Sequence, residues 1–152
     1  MSTEFNLYLH NGGVFSVESS LRLEVVTEVR TEDVYDLYVD AGWWEEGWSL
    51  DVIPAMVKKS FRFVALFNGR ELVGMGRALS DGVSDAYIQD IVVRTDYRGQ
   101  GWGQKIVRRL VEELRSAGID WIGLIGVPGS KPFYEKLGFG EMPDFVPMKY
   151  QC

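Results

Sequence analysis

Residues 87–103 read Y-I-Q-D-I-V-V-R-T-D-Y-R-G-Q-G-W-G, and the chain on either side is organised around them. The apolar, β-branched run Ile88, Ile91, Val92 and Val93 predicts a mostly buried strand. A polar turn follows, with three alternating glycines, Gly99, Gly101 and Gly103. Beyond it, Ile106, Val107, Leu110, Val111 and Leu114 fall at the spacing of one helix face. Strand, glycine-rich turn and helix together form an anion cradle. The glycines let the main chain approach a ligand closely, and the free N–H groups of the turn and first helical turn point at negative charge. Arg98 adds a cation at the mouth of this turn.

A Walker loop would need four residues between its glycines and then Gly-Lys-Ser/Thr, which is absent. The dinucleotide fingerprint G-x-G-x-x-G fails because the third glycine comes one residue too early. What fits is R-x-x-G-x-G at Arg98, Gly101 and Gly103, preceded by D-I-V-V-x-x-x-Y from Asp90 to Tyr97. This combination resembles the acetyl-CoA signature of the GCN5-related N-acetyltransferases. A second stretch, F-Y-E-K-L-G-F at Phe133–Phe139, resembles the F-Y-x-K-x-G-F segment near the C-terminus of the same family. The resemblance covers residues 21–150. The M-P-D-x-x-P-M run at 142–148 is similar to small bacterial and plastid-type members, some of which acetylate arylalkylamines.

The resemblance implies a single α/β domain over residues 1–152. A mixed, mostly antiparallel central sheet carries helices on both faces, and its strands splay at the acetyl-CoA site. It places the pantetheine arm on the main chain of Ile91, Val92 and Val93, with an N–H near Val92 facing the thioester carbonyl. It places the pyrophosphate on Arg98, Gly99, Gln100, Gly101, Trp102 and Gly103. Tyr134 matches the tyrosine that protonates the leaving thiolate. Asp90 is the first candidate for the group that deprotonates the amine; Gln89 stands where many members carry a glutamate. Glu45, Glu46, Asp81 and Asp85 are weaker candidates. An asparagine common seven residues before the tyrosine is replaced by Val127, which leaves Ser130 or the main chain to hold the arm.

Composition narrows the function classes. The chain has 152 residues, 46% apolar, enough for one ordinary core. A net charge of -6 leaves no basic stripe for nucleic acid and favours cationic partners. The single cysteine, Cys152, excludes an internal disulfide and suggests the cytoplasm. With His10 the only histidine, no Ser-His nucleophile pair is evident, and no metal is expected. No signal peptide or membrane-spanning run is apparent.

In order, residues 1–20 read either as a small extra hairpin or as a partly ordered arm. Leu21–Val26 is the expected first core strand. Thr31 is the expected N-cap of a helix over 32–41, and a second helix covers about 51–60. Strands at 62–67 and 71–79 are joined by Asn68-Gly69, a hairpin signal, and Asp81-Gly82 turns into the strand at 86–93. A helix over 102–117 stops at Gly118. A buried strand at 119–125, a short helix at 128–137 and one or two irregular strands over 139–150 complete the pattern.

The connection between the first two helices borders the acceptor pocket in the resembled fold. Here it carries Trp43, Trp44 and Trp48 with Asp40, Glu45 and Glu46. Indole faces attract cations and stack on flat rings, so a small aromatic or cationic amine is the expected acceptor. The same rings equally suit a role capping the core, or an interface, and the resemblance implies that dimers are common. Two rival readings stay open at this point: a protein N-terminus or lysine as acceptor, and a catalytically silent acyl-CoA-binding module.

Overall fold

The computed structural model describes residues 20–152 and, before them, the backbone of two short strands, β1 (Asn6–Tyr8) and β2 (Val14–Ser16), which pair antiparallel. The rest of the alternating N-terminal pattern, with His10, lies outside the described residues.

The main sheet runs in the order β3 (Leu21–Val25), β4 (Arg62–Asn68), β5 (Glu71–Ser80), β6 (Asp85–Val93), β7 (Trp121–Gly123). Its first four strands are antiparallel, and β7 joins β6 in parallel. Side chains alternate across the pleat, so β4 feeds two cores at once. Phe63 and Ala65 meet Val34, Leu37 and Tyr38 of α1 (Thr31–Asp40) and Ile53 and Val57 of α2 (Val52–Lys59). Val64 and Leu66 meet Ile106, Val107, Leu110 and Leu114 of α3 (Trp102–Ser116) on the other face. The helix-face residues of α3 all reach that core, with Val111 at its margin. Helices on both faces of a mostly antiparallel sheet match the expected fold class.

Several expectations shift. Arg30, not Thr31, precedes α1, and no side chain caps it. The β4–β5 loop is Gly69-Arg70, because Asn68 already pairs with Glu71. The helix α3 ends with N–H bonds from Gly118 to Arg115 and from Ile119 to Leu114, the glycine standing at φ 85°. The last helix, α4 (Lys131–Glu135), is shorter than 128–137.

Two differences are larger. The strand expected over 119–125 pairs only at Trp121–Gly123, after which the chain leaves β6. No strand forms over 139–150 among the described residues. Gly138 and Asp144 both stand in the left-handed region, at φ 91° and 68°, and Pro143 and Pro147 each lack a ladder donor. Among the described residues, no helix is long and apolar enough to cross a membrane.

Candidate acyl-transfer site

The site is built on a defect in the sheet. Met75 pairs with Val92, but Arg77 pairs with Gln89, so Asp90 and Ile91 together oppose the single residue Gly76. This β-bulge bends β6, and Asp90 takes φ 54° within it. Gly76 is required there: a Cβ would stand 2.5 Å from Ile91 Cδ1 and 2.7 Å from Ile106 Cγ2. The bulge and the β5–α3 contact therefore share one small residue.

Asp90 is held from two sides. Its Oδ2 accepts a bond from Arg77 Nε at 2.5 Å and one from the Tyr38 hydroxyl at 2.9 Å. Among the described residues Oδ1 has no hydrogen-bond partner. Burial, and then the Asp90 charge, push the Tyr38 phenol far above its ordinary range. Gln89 Oε1 accepts from Arg77 at 3.2 Å.

Beyond the Tyr87–Gly123 pair, β6 and the chain after β7 part around a cleft of about 330 Å³. Gln89, Asp90 and Ile91 form one wall, Leu124, Ile125 and Val127 the other, with Trp43 and Tyr134 between. Tyr134 is half-buried against Phe133 and Phe139, and burial raises its phenol pKa. It is protonated at neutral pH, and its hydroxyl makes no hydrogen bond among the described residues.

Main-chain polarity settles which backbone groups face the cleft side. Arg94 N–H donates to the Val73 carbonyl of β5. Antiparallel pairs alternate between bonded and non-bonded, so Val92 is bonded to Met75 while Ile91 and Val93 face away. The N–H of Val92, expected at the thioester carbonyl, is thus turned to β5. The Val93 carbonyl is taken by Arg98 Nε at 2.7 Å.

The glycine turn lies at the far end of β6. Gly99 and Gly101 stand at φ 74° and 84°, with nothing within 4 Å of a Cβ built on either. Gly101 precedes α3 without any side-chain cap, which leaves the first N–H groups of that helix available. Gly103 lets Phe133 of α4 pack at 3.4 Å. Arg98 is not free at the mouth: besides Val93 it reaches Asp40 at 3.3 Å. Asp40 also accepts from Thr95 N–H at 2.9 Å, so it pins the turn to α1 and does not face the acceptor cleft. Lys105 Nζ lies 4.1 Å from the Trp102 ring, a cation in the first turn of α3, where the helix dipole alone would disfavour it.

A family model for the acetyltransferase (GNAT) family matches residues 23–139. The chain belongs to that family. A relative from Pyropia yezoensis, an uncharacterized N-acetyltransferase named ycf52, is 36% identical over 109 residues, covering 69% of this chain and 62% of that protein. The chloroplastic serotonin N-acetyltransferase 2 of Oryza sativa is 39% identical over 74 residues, covering 49% of this chain and 37% of that protein. The chain thus spans less than two thirds of the length of these curated relatives. In fold, it superposes on a probable acetyltransferase from meticillin-resistant Staphylococcus aureus with a TM-score of 0.73 at 24% identity, covering 86% of this chain and all of that one.

Against this GNAT frame, the expected residues divide. Asp90, Ile91, Tyr134 and Trp43 line one cleft. Trp44 packs edge-on to Tyr35 and Trp48 at 5.0 and 5.6 Å, on the core margin, and neither it nor the exposed Glu45 lines the cleft. Ser130 donates its hydroxyl to the Val127 carbonyl at 2.7 Å and lines a second, larger cleft on the other side of β7. Asp81 closes its own turn, accepting from Val83 and Ser84, which lowers its pKa. Arg77 and Tyr38 went unread in the sequence. Tyr38 sat at an ordinary core position of α1, and Arg77 could be found only from the register across the β5–β6 hairpin.

Proposed function

We infer that this GNAT chain transfers an acetyl group from acetyl-CoA to a primary amine, and that the amine is small and aromatic or otherwise cationic. The observation that carries the reading is a protonated, unpartnered Tyr134 hydroxyl in the cleft where β6 and β7 part. The residues present fit acetyl-CoA. The left-handed glycine turn is open on its outer side, the α3 N-terminus is uncapped, and Lys105 stands beside it.

Acetyl-CoA supplies the activated acetyl group and a thiol leaving group. In this reading the N–H groups of residues 98–103 hold its pyrophosphate, and the outward main chain of Ile91 and Val93 pairs with its arm as an added strand would. A simple amine has a pKa near 10.4, so only about one molecule in a few thousand is unprotonated at neutral pH. Asp90 Oδ1 takes that proton, directly or through a water, while Arg77 and Tyr38 hold Oδ2. Tyr134 Oη gives its proton to the leaving sulfur. Trp43 receives the acceptor's ring or charge, and the name of the Oryza relative supports an arylalkylamine.

The test is CoA release from acetyl-CoA against arylalkylamines, polyamines, amino acids and basic peptides, with Tyr134→Phe in parallel. Turnover selective for aromatic amines is expected, with kcat lowered about 100-fold in the variant. Preference for peptides would move the acceptor to a polypeptide. Calorimetric binding of acetyl-CoA without release on any acceptor would favour a silent binding module, and no binding would remove the reading.

A further inference from the structure

The strand β7 hydrogen-bonds along one edge only; among the described residues no strand pairs with the other. Beside that free edge lies a cleft of about 570 Å³, floored by residues 120–124 and by α4 with Tyr134. The segment that ought to fill it does not. After a turn in which Phe145 N–H bonds the Met142 carbonyl and Asp144 stands at φ 68°, residues 145–152 run outward. Phe145, Val146, Met148 and Tyr150 are between 75 and 90% exposed. Val146, Met148 and Tyr150 alternate with Pro147, Lys149 and Gln151, the period of a half-buried strand.

We propose that two copies of this chain form a two-fold dimer by exchanging residues 145–152, each segment adding as an edge strand to the free edge of β7 in the other copy and covering the cleft beside Tyr134. Donor and acceptor are on the same molecule, but the Met142–Phe145 turn carries the donor away from its own β7. Reciprocal exchange satisfies both, and it closes with two-fold symmetry so that no filament grows. Left unmatched, an apolar segment and a bare sheet edge invite aggregation. Pro147 is tolerated on an outermost strand, where its missing N–H faces away from β7. The four exposed apolar side chains of the two segments supply on the order of 1,000 Å² before the acceptor surface is counted, which reaches the size of a specific interface. Tyr134 lines the covered cleft, so the partner copy would form part of the wall behind this residue.

The experiment is light scattering on the full chain, paired with cross-linking. Twice the chain mass is expected at about 10 µM for the wild type, a concentration typical of specific dimers. The chain mass is expected for Val146→Lys/Met148→Lys, whose changes fall on exposed side chains and leave each core intact. A monomeric wild type, or a dimer indifferent to this double change, overturns the proposal. In chains carrying Cys152→Ser, one copy then bears Trp121→Cys and the other Met148→Cys. After refolding together, a short bismaleimide is expected to join the two. If a single chain bearing both cysteines links only within itself, residues 145–152 fold back on their own edge and exchange is ruled out.

Discussion

Asp90 stands at φ 54°, a backbone state that costs a residue with a side chain about 1–2 kcal/mol. Arg77 and Tyr38 hold it there, and that makes Tyr38 sensitive to pH. Its phenol keeps its proton in the folded protein well above the value at which the unfolded chain releases it, near pH 10. Above pH 10 the unfolded state therefore binds fewer protons, and stability falls as pH rises. Urea midpoints measured across the alkaline range are expected to drop more steeply for the wild type than for Tyr38→Phe. At neutral pH that variant should be less stable by about 1.5–3 kcal/mol, the usual contribution of a hydrogen bond to a charged group. The tryptophans separate by the same kind of measurement. Trp43→Ala is expected to raise the KM for an aromatic acceptor about tenfold with little change in Tm. Trp44→Ala, which removes a ring from the Tyr35–Trp48 cluster, should lower stability by about 2 kcal/mol and leave acceptor KM nearly unchanged.

Among the elements, β6 and α3 carry most of the site, and Gly76 is where they meet β5. Gly76→Ala forces a methyl against Ile91 and Ile106, an overpacking expected to cost about 1–3 kcal/mol. Because Ile91 belongs to the bulge, acetyl-CoA affinity should weaken with it; thermal melts and calorimetry on one preparation check both. An unchanged melt would mean that the bulge has slack. The elements most readily read from sequence, α3 and β4 to β6, have strong periodic patterns and mutual hydrogen-bond partners. Helix α1 and the strand Leu21–Val25 were legible for the same reason. The region after Gly118 was harder, because strand pairing there depends on a neighbour and not on local pattern. Trp121–Gly123 has β6 beside it; Val146–Tyr150 has an equally strand-like alternation and no partner within the described chain.

At the scale of the molecule, two cores clamp one sheet, and the cleft opens where the sheet loses its pairing. A ligand that binds only the folded form stabilises it by mass action, about 2.7 kcal/mol at a hundredfold its Kd. For a chain of this size that corresponds to a rise in Tm of about 5–10 °C with saturating acetyl-CoA. A melting temperature unmoved by millimolar acetyl-CoA would count against the glycine turn as its cradle. The sequence by itself determined the family, the layer architecture, the glycine turn and Tyr134, because periodicity, turn chemistry and two motifs at fixed spacing are local properties of the chain. Only the tertiary structure decided that Asp90 is tied to Arg77 and Tyr38, that Val92 faces β5 and that Trp44 packs on the core while Trp43 lines the cleft. It also decided that residues 145–152 leave their own sheet edge bare. Each of these depends on register across strands or on packing between distant segments. A one-residue bulge reverses which way a backbone group points, and no pattern within a single strand records it.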